Sequence, residues 1–169
     1  MPHRSRESFA EFVVARQRHW LRMAYLLCND RQFAEDLVQQ SLEKLYVVWP
    51  KVAAADSPDA YVRKAIVNVY LSETRRMWRR RERPSDDPAA GVVATADEAA
   101  DDRVDLARAL SRLPKRQRMV LILRFADDLS VTEMAAVMGC AEGTVKAHTS
   151  AALKAIRRTT EFELQGVVR

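Results

Sequence analysis

The chain has 169 residues, 48% of them hydrophobic and 30% charged, with a formal net charge of +5, 2 Cys and 4 Gly. Two distant cysteines without a CxxC exclude a disulfide framework or a zinc site; with no apolar secretory core at the N-terminus and no run of about 18 apolar residues to cross a bilayer, a cytoplasmic protein without membrane insertion is expected. The charge is uneven: residues 1–83 hold 16 Lys and Arg against 10 Asp and Glu, residues 103–169 hold 12 against 7, and residues 84–102 hold six acids and no base.

In the first block, Phe9, Phe12, Val13, Trp20, Met23, Ala24 and Leu27 recur every three or four residues, which predicts an amphipathic helix ending before Asn29-Asp30. Phe33, Leu37, Val38, Leu42, Leu45 and Tyr46 predict a second, stopping at Trp49-Pro50. Its other face presents Glu35, Asp36, Gln39, Gln40 and Glu43, acids and amides that suit a protein partner better than DNA. Ser57-Pro58, a cap residue followed by Pro at the first helical position, opens a third helix that continues through Tyr61, Val62, Ala65, Ile66 and Val69 to the basic run near Arg75. That helix presents Arg63, Lys64, Asn68, Arg75 and Arg76, with Arg79, Arg80, Arg81 and Arg83 following, a distribution that suits nucleic acid. Met77-Trp78 adds an element that either stacks on a base or packs on its own domain.

Residues 84–102, rich in Pro, Ala and Asp, read as a flexible linker, first of all a soluble tether, with shielding of the basic blocks by its acids as the alternative. Beyond it, Leu113 to His148 reads as two short helices, a tight turn and a third helix. Ser130 and Glu133 form a capping box, Met134, Ala135, Val137 and Met138 give an apolar face, and Gly139 supplies the helix end. The next helix starts near Glu142 and runs to about Thr159, with Val145, Ala152, Leu153 and Ile156 on one side. On the other lie Thr144, Lys146, His148, Thr149 and Ser150, donors suited to phosphates or to base edges in a major groove. This is a helix-turn-helix pattern. No segment alternates as a strand, so the expected fold is all-α: two small helical domains, 1–83 and 103–169, joined by the acidic linker 84–102.

No Gly-rich phosphate loop, metal-spaced His/Cys set or nucleophile–base pair is visible, and His3 and His19 have no evident partners. Neither enzymatic activity nor a cofactor, metal or small-molecule substrate is expected. Two readings remain open from the residues: a factor that brings another protein to DNA, or a stand-alone helix-turn-helix regulator whose N-terminal block binds a sensor or inhibitor.

Four segments carry a resemblance: Ala34-Glu-Asp-Leu-Val-Gln39, Ala60-Tyr-Val-Arg-Lys-Ala-Ile-Val-Asn68, Leu110-Ser-Arg-Leu-Pro-Lys-Arg-Gln-Arg118 and Met138-Gly-Cys-Ala-Glu-Gly-Thr-Val-Lys146. In order and spacing they resemble the extracytoplasmic-function (ECF) group of bacterial sigma-70 factors, most of all the SigE-type factors of actinobacteria. The resemblance implies a region 2-like bundle and a region 4-like helix-turn-helix in an initiation factor that binds core RNA polymerase. It places Asp36, Gln39 and Gln40, flanked by Glu35 and Glu43, against the clamp helices of the largest polymerase subunit. The loop Pro50 to Ser57, including Asp56, and the helix bearing Arg63, Lys64, Asn68, Arg75 and Arg76 would hold open the minus-10 element, with one base unstacked into the loop at a cost of a few kcal/mol. The helix from Glu142 would enter the major groove of the minus-35 element through Thr144, Lys146, Ala147, His148 and Ser150, the linker would thread toward the RNA exit path, and an anti-sigma protein is a further partner of many relatives. The chain departs from the family at Gln40, usually an acid; at Ala141, usually a Ser cap; and at Ala147, Ser150 and Ala151, where relatives often carry Ser, a larger residue and Arg.

Overall fold

The computed structural model describes the backbone of residues 2–81 and 98–167, with the side chains of residues 8–81 and 105–159. Every regular element among the described residues is helical: α1 (Pro2–Cys28), α2 (Arg31–Val47), α3 (Trp49–Ala53), α4 (Pro58–Arg81), α5 (Glu98–Ser111), α6 (Lys115–Leu121), a π-helical turn (Ile122–Ala126), α7 (Val131–Met138) and α8 (Glu142–Val167). The all-α expectation is borne out.

The breaks have local causes. Asn29 takes the left-handed conformation (φ 52°), and Asp30 then caps α2 by accepting the Phe33 N–H at 2.8 Å. Trp49-Pro50 does not simply stop the second helix. It opens the separate turn α3, because Pro lacks only an N–H that a first helical turn leaves unused. Half of the loop expected over Pro50 to Ser57 is therefore helical. Trp49 is buried there, with Phe9 and Phe12 ring centroids each at 5.1 Å, so aromatic packing holds α3 on α1. Of the expected linker, residues 98–102 belong to α5 and the remainder lies outside the described residues, as does Arg83.

α1 organises the packing. Trp20, Met23, Ala24 and Leu27 form the predicted stripe, and Leu26, which lies off it, is buried as well. The helix packs against both α2 and α5, while α7 packs on α4 and α8 on α6 and α7. The buried residues of both halves, from Trp20 and Ile66 to Met119, Leu123 and Met134, make one continuous cluster. Arg118 ties the halves where helices end: its guanidinium donates to the Leu27 carbonyl near the end of α1, to Leu113 O at 3.2 Å beyond α5, and to the Tyr70 hydroxyl of α4 at 3.3 Å. Carbonyls at helix ends lack intrahelical donors, which makes them natural acceptors for a cation.

Candidate nucleic-acid and protein interfaces

The C-terminal pair α7–α8 is built as the sequence pattern requires. Ser130 Oγ accepts the Glu133 N–H at 3.2 Å, and Glu133 Oε2 accepts the Ser130 N–H at 2.8 Å. The Ser130 N–H, with the Ser130 hydroxyl adding to it, holds the Glu133 carboxyl below its ordinary range. Gly139 ends α7 in the left-handed conformation, φ 63°, and Cys140 N–H reaches back to Ala135 O at 3.1 Å. Ala141 offers no side-chain cap, yet its carbonyl receives the Thr144 and Val145 N–H groups, and the Thr132 hydroxyl donates to Glu142 Oε1 at 2.7 Å. The start of α8 is thus held from α7. Val145 and Ala152 are buried beneath α8, which leaves Thr144, Lys146, Ala147 and Ser150 exposed and His148 half-buried. The Thr149 hydroxyl donates back to Val145 O at 2.8 Å, so it is engaged within its own helix.

A second polar surface belongs to α4 and the turn before it. Asp56 and Ser57 are exposed, as are Lys64 and Asn68 one turn apart and Arg75 further along. Arg76 is exposed too, though it pairs with Glu73 at 3.1 Å. α4 is longer than predicted and carries Arg79, Arg80 and Arg81 exposed in helical geometry, with Trp78, 62% exposed, among them. Arg63 alone is withdrawn. Its side chain is 15% exposed and lies between Asp59 at 3.0 Å and Asp127 at 3.1 Å.

The third surface is the outer face of α2. Glu35, Asp36, Gln39 and Glu43 are exposed and Gln40 is half-buried. Gln39 donates to Glu43 at 3.2 Å and Gln32 to Asp36 at 3.3 Å, one turn apart, so the face is pre-ordered along the helix. Beside it lies an open cleft of about 410 Å³ in which Leu21, Val38, Leu42 and Tyr46 meet Glu35, Gln39 and Glu43. Apolar surface edged by acids and amides fits a protein ridge with donors on its flanks.

Residues 103–156 match the family described as Sigma-70, region 4. Over 165 residues the chain is 33% identical to an RNA polymerase sigma-E factor of Streptomyces avermitilis, covering 95% of this chain and 89% of that one. It is also 31% identical over 145 residues to an ECF RNA polymerase sigma factor, SigL, of Mycobacterium tuberculosis, covering 83% and 81%. The chain belongs to the ECF sigma factors of the sigma-70 family. The fold agrees: the sigma factor RpoE of Bartonella quintana, crystallised with the anti-sigma factor NepR, superposes with a TM-score of 0.77 at 24% identity, covering 92% of this chain and 98% of that one.

Against this ECF background, two side chains missed by the sequence analysis stand out. Asp127 follows the π-helical turn, whose defining bond runs from the Asp127 N–H to Ile122 O at 3.3 Å. Its side chain is fully buried, with Oδ1 2.7 Å from His19 Nε2 and Oδ2 3.1 Å from Arg63 Nε. The contact with Arg63 is an ion pair and that with His19 is a close polar approach; neither oxygen meets a donor in good hydrogen-bond alignment. Burial pushes the Asp127 carboxyl above its ordinary range, against the pull of His19 and Arg63. His19, expected to be partnerless, therefore has a partner. Arg118, noted only as part of a family motif, is the other. Among the described residues no three His, Cys, Asp or Glu side chains gather as metal ligands, and no helix is long and apolar enough to cross a membrane. Cys28 and Cys140 are both free thiols.

Proposed function

We propose that this ECF sigma factor binds core RNA polymerase and directs it to promoters. The three surfaces divide the work. The α2 face, Glu35, Asp36, Gln39, Gln40 and Glu43, meets the polymerase clamp. Asp56, Ser57 and the α4 side chains Arg63, Lys64, Asn68, Arg75 and Arg76 hold the melted minus-10 element. Thr144, Lys146, Ala147, His148 and Ser150 face the minus-35 major groove. The observation that carries the reading is α8 itself: a capped helix-turn-helix seats it by Val145 and Ala152 and leaves a polar stripe exposed.

In this reading residues 1–83 and 103–169 work as separate domains with 84–102 as the connection, and the chain works in the cytoplasm. It makes no bonds itself; polymerase supplies the chemistry. The crystallised RpoE–NepR pair supports an anti-sigma protein as a further partner. The test adds the purified chain to active core polymerase on fragmented host DNA. Co-elution with core and initiation at specific sites is expected. DNA binding without polymerase association would favour the stand-alone regulator and overturn the assignment.

A further inference from the structure

The first residue of α8 is not among the side chains assigned to DNA above, yet it is exposed and its carboxylate is held in place. Glu142 Oε1 accepts the hydroxyl of Thr132, the second residue of α7, at 2.7 Å across the turn. Oε2 takes no hydrogen bond, and the carboxylate meets no cation, among the described residues. The helix N-terminus favours an acid in the first turn, but that preference needs no hydroxyl from another helix. One oxygen anchored and the other free suits a side chain that accepts from a donor outside the chain. The next residue points the same way. Gly143 is helical and exposed, and a Cβ built on it would meet nothing within 4 Å. Neither strain nor crowding in the free chain calls for glycine there, and within a helix it is less stable than alanine. Glycine does suit a backbone that another molecule must approach closely.

We infer that Glu142 is a specificity residue of α8, its free oxygen accepting from the exocyclic amino group of one cytosine in the minus-35 major groove, with Thr132 as its positioning residue. The inference rests on the promoter reading of α8 given above. In a helix-turn-helix, the N-terminal residues of the second helix are the ones that reach base edges. A carboxylate only accepts, so the O6 and N7 of guanine and the O4 of thymine repel it. Adenine offers an amino group, but its N7 lone pair lies beside that group and faces the second carboxylate oxygen. Cytosine presents its N4 amino group without an adjacent acceptor. The bond from Thr132 removes rotamers that a free glutamate would sample, so less ordering remains to be done when DNA arrives. A wrong base leaves the carboxylate desolvated and unpaired among phosphates. Glu142 therefore works more by rejecting other bases than by adding affinity for the right one.

The experiment gives the full chain with core polymerase a pool of promoter fragments whose minus-35 region is randomised upstream of a start site found on host DNA, and sequences the templates that are transcribed. A second pool, fully random duplexes, is offered to the full chain alone, and circular dichroism follows the folding of every variant. Wild type should enrich cytosine at one position of the randomised region. Glu142→Gln should move that position toward adenine, whose N6 and N7 an amide meets in two bonds, and Glu142→Ala should level it, each changing the preference about tenfold with the other positions unaltered. Thr132→Val should weaken the cytosine preference several-fold without changing the base, and Thr132→Ser should restore it. A turn fastener alone would give neither the switch to adenine nor a loss confined to one position. Absence of a cytosine position in the wild type, a cytosine preference that survives Glu142→Ala, or an equal loss at every position would each overturn the inference. If core polymerase neither co-elutes nor initiates while the chain alone selects cytosine through Glu142, the base contact stands and the promoter reading falls. Failure of both pools to show any sequence preference would overturn both.

Discussion

At the residue scale, single side chains separate into those proposed to read DNA and those that hold the fold. Lys146 is exposed on α8 with no structural bond, so Lys146→Ala should cost about 1–3 kcal/mol of minus-35 affinity, read as a loss of initiation at promoters that depend on that element. Binding to core polymerase should be unchanged; loss of both would point to misfolding. Cys28 behaves oppositely. Burial pushes its thiol up to about 11 from a model-compound 9.0, and its Sγ lies 3.1 Å from Asp30 O. At pH 8, then, Cys28 should hold about 100-fold less thiolate than an unburied thiol, and alkylation followed by mass spectrometry should find it correspondingly slow. Rapid labelling would show that α1 frays there. The exposure of Lys146 was legible in the sequence because exposure on a periodic helix is a local property. The grouping of Asp127 with His19 and Arg63 was not, because residues so far apart in the chain leave no periodic mark of their meeting.

At the element scale, the helices owe their boundaries to short-range chemistry. The capping box at Ser130 and the left-handed Gly139 frame α7, and both were readable from residue type alone. Ser130→Ala should lower stability by about 1 kcal/mol through loss of the cap. Gly139→Ala should cost a similar ~1 kcal/mol by forcing a Cβ into the left-handed region, although open space surrounds the position. Calorimetry should show each as a drop of a few degrees in Tm, and an unchanged Tm would mean that α7 is held by packing alone. On α2, Gln39→Ala with Gln40→Ala should weaken association with core polymerase while leaving the helix intact, since its buried side is carried by Leu37, Val38 and Leu45. Unchanged association would move the polymerase interface elsewhere. Trp49-Pro50 was rightly read as the place where α2 stops, but the turn that opens there was missed, because Pro both ends one helix and suits the start of the next, and the burial of Trp49 against Phe9 and Phe12 is a long-range contact.

At the scale of the whole molecule, the two basic blocks, each expected to be a small helical domain, share one buried cluster. Their helical periods were visible in the sequence, whereas the docking was not, because Leu26, Tyr70 and Arg118 look like ordinary helix positions until α5 and α6 arrive beside α1. Arg118→Ala should remove donors from the Leu27 and Leu113 carbonyls and from the Tyr70 hydroxyl at once, destabilising the free chain by about 2–3 kcal/mol in denaturant unfolding. Arg118→Lys should recover little, since one ammonium cannot span acceptors that a planar guanidinium reaches in several directions. Full rescue by Lys would show that charge alone matters at that seam.

The bond from Thr132 to Glu142 joins α7 to the first turn of α8 without using any side chain of the exposed stripe. The set of α8 on α7 is therefore fixed by one group of residues and its exposed stripe is supplied by another. If that stripe reads promoters as proposed, preference could drift, or be rewritten in the laboratory, at positions 144, 146, 147 and 150 while the elbow that presents those letters stays as it is.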